Sequence, residues 1–115
     1  MLKTIVAATL VSIVSFGTIS PVLAQCGGAS WYSLPGSRTA SGTPMNPNAM
    51  TAAHKSLPFG TKVEVTDQRT GNSVTVTIND RGPFIKGRII DLSKAAATEL
   101  GFRNRGHTPV CIAQI

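Results

Sequence analysis

The sequence is poor in charge, in aromatic rings and in cysteine. Charged residues make up 14% of the 115 positions, against 42% hydrophobic ones, and so apolar a balance excludes a disordered chain. Eleven glycines and seven prolines punctuate it too often for a helical bundle. At roughly 150 residues per domain the length admits one domain, which excludes multidomain enzymes, repeat arrays and large dinucleotide folds. Two cysteines and two histidines at these separations form no zinc pattern, so no metal is expected. A Gly-x-x-x-x-Gly-Lys phosphate loop is missing, and no other cofactor signature takes its place. The formal charge is +6, but the basic residues are scattered singly apart from the Arg103 and Arg105 pair. Without a recognition helix or an aromatic-interleaved basic stripe, nucleic acid is not an expected partner. A mild positive excess suits an acidic polymer or an anionic envelope.

The one long apolar run is at the start. Residues 1–24 open with Lys3, continue through an apolar stretch from Ile5 to about Phe16, and close with Val22-Leu23-Ala24, a pattern that signal peptidase accepts. Ser12, Ser15 and Gly17 interrupt the stretch and Pro21 ends it, which favours a cleaved signal, the alternative being an uncleaved anchor. Gln25 precedes Cys26 where lipid attachment normally wants a small residue. The expected product is therefore exported and soluble, periplasmic or extracellular, with residues 1–24 as signal and 25–115 as the domain. In an oxidising compartment Cys26 and Cys111 read as a disulfide closing nearly the whole domain, the alternative being two unrelated buried thiols.

Most of the domain reads as strand and turn. Residues 29–34 form a short aromatic-bearing strand, and 41–47 are loop because Gly42, Pro44, Asn46 and Pro47 crowd it. Residues 61–66 alternate with Val63 and Val65 inward, residues 72–80 with Val74, Val76 and Ile78 inward, and Gly71-Asn72 joins them as a hairpin. Ser93 and Asp91 precede a helix over 94–100 that Gly101 stops, and 108–115 is a final strand. Five or so short strands with one firm helix suggest a small closed barrel.

Asp80 is the most informative residue. It shares parity with Val74, Val76 and Ile78, and a carboxylate that extends an apolar row is costly unless paired or set in a cleft. Gly82 and Pro83 end the strand just beyond, which places Asp80 at the barrel mouth, as a site acid or as a structural ion pair with Arg81 or Arg88. His54, after an alanine-rich turn, reads either as a site residue or as a hydrogen-bonded structural histidine. Asp91 has the position of a helix cap. Trp31 and Tyr32 offer a sugar-stacking platform or belong to the core.

Five strings in order extend these readings: Gly28-Ala29-Ser30-Trp31-Tyr32, Thr39-Ala40-Ser41-Gly42, Thr51-Ala52-Ala53-His54-Lys55-Ser56-Leu57-Pro58-Phe59-Gly60-Thr61, Ile78-Asn79-Asp80-Arg81-Gly82-Pro83-Phe84 and Gly87-Arg88-Ile89-Ile90-Asp91-Leu92-Ser93. Together they make residues 25–115 resemble the rare lipoprotein A (RlpA) family. The resemblance implies a mainly β fold, a six-stranded double-psi β-barrel with one or two short helices, stapled here by one disulfide. It implies a lytic transglycosylase that cuts peptidoglycan glycan strands and leaves 1,6-anhydro ends, and a monomer is expected. Asp80 and His54 match the family's catalytic positions, with Trp31, Tyr32, Thr43 and Arg81 as substrate contacts. Thr43 stands where the family carries an acidic residue. The alternative function is a glycan-binding, wall-loosening module of the expansin type, which disrupts packing without cutting.

Overall fold

A computed structural model describes residues 24–115; the expected signal, residues 1–24, lies almost entirely outside them. Six strands and one helix follow in the order β1 (Gln25–Tyr32), β2 (Thr51–His54), β3 (Lys62–Asp67), β4 (Ser73–Asp80), β5 (Arg88–Ser93), α1 (Lys94–Leu100) and β6 (His107–Gln114). They close into a barrel with the order β1-β5-β2-β4-β3-β6. Pairs β1·β5 and β2·β4 are parallel and the other four antiparallel, so closure leaves no open sheet edge.

Alternation builds the core. Val63 and Val65 of β3, Val74, Val76 and Ile78 of β4, Ile90 and Leu92 of β5, and Val110 and Ile112 of β6 all turn inward and are buried. The hairpin expected at Gly71-Asn72 is present, with Gly71 at φ 81° and the amide of Asp67 donating to Asn72 O at 2.8 Å. Asp67 is buried beneath it, accepting from Thr108 Oγ1 at 3.0 Å and from Arg69 N at 2.7 Å, so this carboxylate is structural.

Two strands were not legible as such. β2 is the alanine-rich segment read as a turn; Ala has low strand propensity, and β4 and β5 on either side impose the extended form. β5 contains Asp91, expected as the helix cap. The cap is Ser93 instead, whose Oγ accepts from Ala96 N at 3.2 Å and donates to Ala49 O. Gly101 ends the helix in the left-handed region at φ 100°, with its amide on Ala97 O. Ala96, Ala97 and Leu100 bury one face of α1 against the barrel.

Cys26 and Cys111 lie directly opposite each other on β1 and β6 and are joined as a disulfide 85 residues apart in sequence. In the chain-entropy model a loop of that length stabilises the fold by about 4–5 kcal/mol, a large share for a domain this small.

Candidate active site

Two register shifts decide where the carboxylates point. Between β2 and β4, Ala52 pairs with Ile78 but Ala53 pairs with Asp80, so Asn79 is an extra residue in β4. Side chains alternate along a strand, and one extra residue reverses the face of whatever follows. Ala52 and Ile78 face the core, whereas Asp80 comes out on the outer wall beside Ala53. The parity argument that put Asp80 at the inward mouth of the barrel is thus corrected by the bulge. Asn79 Oδ1 is buried without a hydrogen-bond partner from the described residues. A second shift, between Gly28 and Ala29 on β1, sets Ser30 opposite Asp91 of β5.

A single rung therefore crosses four strands. Asp80, Ala53, Asp91 and Ser30 lie side by side on β4, β2, β5 and β1. Two strand spacings put the Cα atoms of the two aspartates roughly 10 Å apart. Ala53, 2% exposed, lies between them on the rung, and the Tyr32 side chain reaches over from β1 to Asp80. Asp80 accepts three hydrogen bonds, from Tyr32 Oη at 2.8 Å, Ala40 N at 2.8 Å and Arg81 N at 2.9 Å. Asp91 accepts from Ser30 Oγ at 3.1 Å. Burial pushes the Asp91 carboxyl above the ordinary carboxylate range and the charge of Asp80 adds to the push, while the Ser30 hydroxyl and the Arg88 cation oppose it. Burial and the hydrogen bond to Asp80 likewise raise the Tyr32 phenol far above its usual value.

The loop over this rung carries Thr43. Ala40 N holds Asp80 and Ser41 N donates to Asn79 O at 3.2 Å, which fixes the loop on the site. Thr39, Ser41 and Thr43 form a ring of hydroxyls with contacts of 2.9 and 3.1 Å, and Thr39 Oγ1 also donates to Thr43 O at 2.8 Å. A neutral hydroxyl cluster thus stands beside Asp80.

The structure gathers Asp80, Tyr32 and the Thr43 loop, and sets the other expected residues apart. Trp31 neighbours Tyr32 in the strand and so faces the other way; it packs against the core and donates from Nε1 to Arg103 O at 2.9 Å, so the two rings make no common platform. Arg81 donates to Leu57 O at 2.8 Å and His54 O at 3.3 Å and lies 4.1 Å over the Phe59 ring. His54 pairs with Ile90 on the inner side of the sheet, away from Asp80. Its Nε2 contacts Gln25 Oε1 at 3.0 Å, its Nδ1 accepts from the amides of Ser56 and Leu57 at 3.0 and 3.1 Å, and burial with nearby Arg81 and Lys55 lowers its pKa.

From sequence Asp91 read as a helix cap, and Phe84 was given no role of its own. The signal for Asp91 was its place between the inward Ile90 and Leu92, which makes it an outward carboxylate on a strand rather than a cap. Phe84 is 80% exposed in the connection leaving Asp80, an aromatic ring spent on no core. Among the described residues no cluster of His, Cys, Asp or Glu is arranged to hold a metal ion.

Strand order, two parallel pairs and the disulfide define this chain as a small double-psi β-barrel with paired aspartates on its outer wall. Residues 24–112 match the family model described as lytic transglycolase, and the chain belongs to that family, the RlpA-like barrels. It is 58% identical over 80 residues to a probable endolytic peptidoglycan transglycosylase RlpA of Synechocystis sp., covering 68% of this chain and 25% of that protein. With the endolytic peptidoglycan transglycosylase RlpA of Neisseria meningitidis serogroup A it shares 53% identity over 93 residues, 79% of this chain and 39% of the relative. The chain thus spans between a quarter and two fifths of these relatives' length. Among solved structures, the apo expansin of Clavibacter michiganensis superposes with a TM-score of 0.65 at 27% identity, over 81% of this chain and 50% of the expansin.

Proposed function

We propose that the protein is an exported endolytic lytic transglycosylase acting on peptidoglycan glycan strands, with Asp91 and Asp80 as its working pair. The observation that carries this reading is the rung Asp80-Ala53-Asp91, two carboxylates in unlike surroundings on one face of the barrel wall and both close to the Tyr32 phenol. Burial keeps a proton on Asp91 to higher pH, so it is the general acid for the leaving glycosidic oxygen. Asp80, with its three donors, is the anion that faces the positive charge developing at the anomeric carbon. Asp91, now ionised, takes the proton of the muramoyl C6 hydroxyl as that oxygen closes on the anomeric carbon. Water is not consumed, and Asp91 ends protonated as it began.

On this reading a third carboxylate at Thr43 is dispensable, because no water has to be activated. The hydroxyls of the Thr43 loop and the open ring of Phe84 are the sugar contacts. Residues 1–24 serve as the export signal, and the mature chain works as a monomer in the periplasm or outside the cell. Relatives named as peptidoglycan transglycosylases support the assignment. A second reading, a wall-loosening module without cleavage, is favoured by one observation, the hydroxyl cluster in place of a carboxylate at Thr43. Digestion of purified glycan strands with the mature protein, followed by mass spectrometry, decides between them: 1,6-anhydro ends are expected, and intact strands that nonetheless bind the protein would favour the second.

A further inference from the structure

His54 is 5% exposed, at an end of the barrel lined by Gln25, Ser56, Leu57, Val63, Ile112 and Gln114. Two amides, of Ser56 and Leu57, aim at Nδ1, so that nitrogen carries a lone pair and the ring proton is on Nε2, donated to Gln25 Oε1. The same turn offers its carbonyls in the other direction. His54 O and Leu57 O both accept from Arg81 Nη1, the guanidinium rests on Phe59 of the same segment, and the Arg81 amide donates to Asp80 Oδ1. A chain of hydrogen bonds thus runs from the imidazole through the turn and Arg81 to Asp80, across the sheet.

We propose that His54 is a positioning residue: its neutral ring fixes the 54–57 turn, the turn holds Arg81, and Arg81 holds Asp80, while the imidazole never touches substrate. This rests on the reading of Asp80 and Asp91 as the working pair. A proton arriving at Nδ1 displaces both amides at once, so the turn, and with it the grip on Asp80, is lost in the imidazolium form. The charged groups facing the ring are Arg81, from the end of β4, and Lys55, from its own turn, and both oppose protonation. The facing side chains of β1 and β6, Gln25 and Gln114, are neutral, and among the described residues no carboxylate lines this end. Cleavage therefore has an acid limb set by His54.

His54→Asn tests this, because the Asn amide oxygen falls where Nδ1 stood, accepts from the same two amides and cannot titrate. Expected is cleavage within about threefold of wild type at neutral pH with the acid limb flattened, whereas His54→Ala loses tenfold or more in kcat with little change in KM. If His54→Asn instead falls by about 100-fold, as removal of a proton-transferring group does, the ring is catalytic and the proposal is overturned. Nitrogen-15 NMR of the wild type gives a readout free of activity. The Nε2–H tautomer is expected, with the Ser56, Leu57 and Arg81 amide signals kept in His54→Asn and displaced in His54→Ala; an Nδ1–H tautomer or an imidazolium at neutral pH overturns it, even if His54→Ala does not fold. Should the wild type leave no anhydro ends, the transglycosylase reading fails, and the NMR arm still decides the role of His54.

Discussion

Replacing Asp91 by Asn separates the acid from the scaffold that holds it. The Asn oxygen still accepts from Ser30 Oγ, and the side chain keeps its size on the rung beside Ala53, so the barrel loses no packing. What is lost is the proton. A positioned general acid is commonly worth about 100-fold or more, roughly 2.7 kcal/mol of barrier, so the release of 1,6-anhydro ends should fall by at least that factor. Stability should move the other way. Because the folded chain holds the Asp91 proton more tightly than the unfolded chain, ionisation of Asp91 weakens the fold as pH rises from the ordinary carboxylate value of 3.8 through its raised folded value. Asn removes that penalty, and at neutral pH the variant should unfold at the same denaturant concentration as wild type or a higher one. The pH profile carries the same sign: wild-type cleavage requires protonated Asp91 and declines as pH rises through its folded pKa. Rates on purified glycan strands, with urea unfolding of both proteins, check each part. A folded Asp91→Asn variant cutting at the wild-type rate would refute the assignment.

Asp80→Asn preserves acceptors for Ala40 N and Arg81 N but removes the negative charge; cleavage should drop about 100-fold or more while sedimentation with peptidoglycan persists, and a fully active variant would remove Asp80 from the site. Protein purified from an oxidising compartment should titrate no free thiol, and a Cys26→Ser, Cys111→Ser double variant should lose about 4–5 kcal/mol of unfolding free energy; two titratable thiols in the native protein would contradict the bridge. Thr43→Glu puts a carboxylate on the loop that contacts Asp80 and, because the muramoyl C6 hydroxyl rather than water attacks, should leave the release of 1,6-anhydro ends within about threefold of wild type; a rise of tenfold or more in a folded variant would show that this position takes part in the reaction. Phe84→Ala, which touches no core, should raise KM several-fold with unchanged stability, and an unaltered KM would place the sugar elsewhere.

Much of the barrel was written locally. Alternating Val and Ile in β3, β4 and β6 gave the strands their buried faces, Gly71-Asn72 gave the hairpin, and Ser93 and Gly101 gave α1 its limits, because side-chain alternation and capping are decided within a few residues. Two cysteines in a chain expected to be exported allowed a bridge or two separate thiols, and the cross-strand register of β1 with β6 set Cys26 opposite Cys111 and joined them. Asp80 stood out in the sequence, but its face did not, since parity counts residues along one strand while the Asn79 bulge exists only in the register between β4 and β2. Asp91 was hidden for the same reason: beside Ser93 it looked like a cap, and only the alignment of β5 with β1 and β2 turned it toward Ser30 and Ala53. His54 and Trp31 were recognised as unusual residues, yet the side of the sheet each occupies was fixed by neighbours far away in the chain. Composition and periodicity determined that a small closed barrel forms; cross-strand register, which no local pattern encodes, decided which carboxylates share its outer wall.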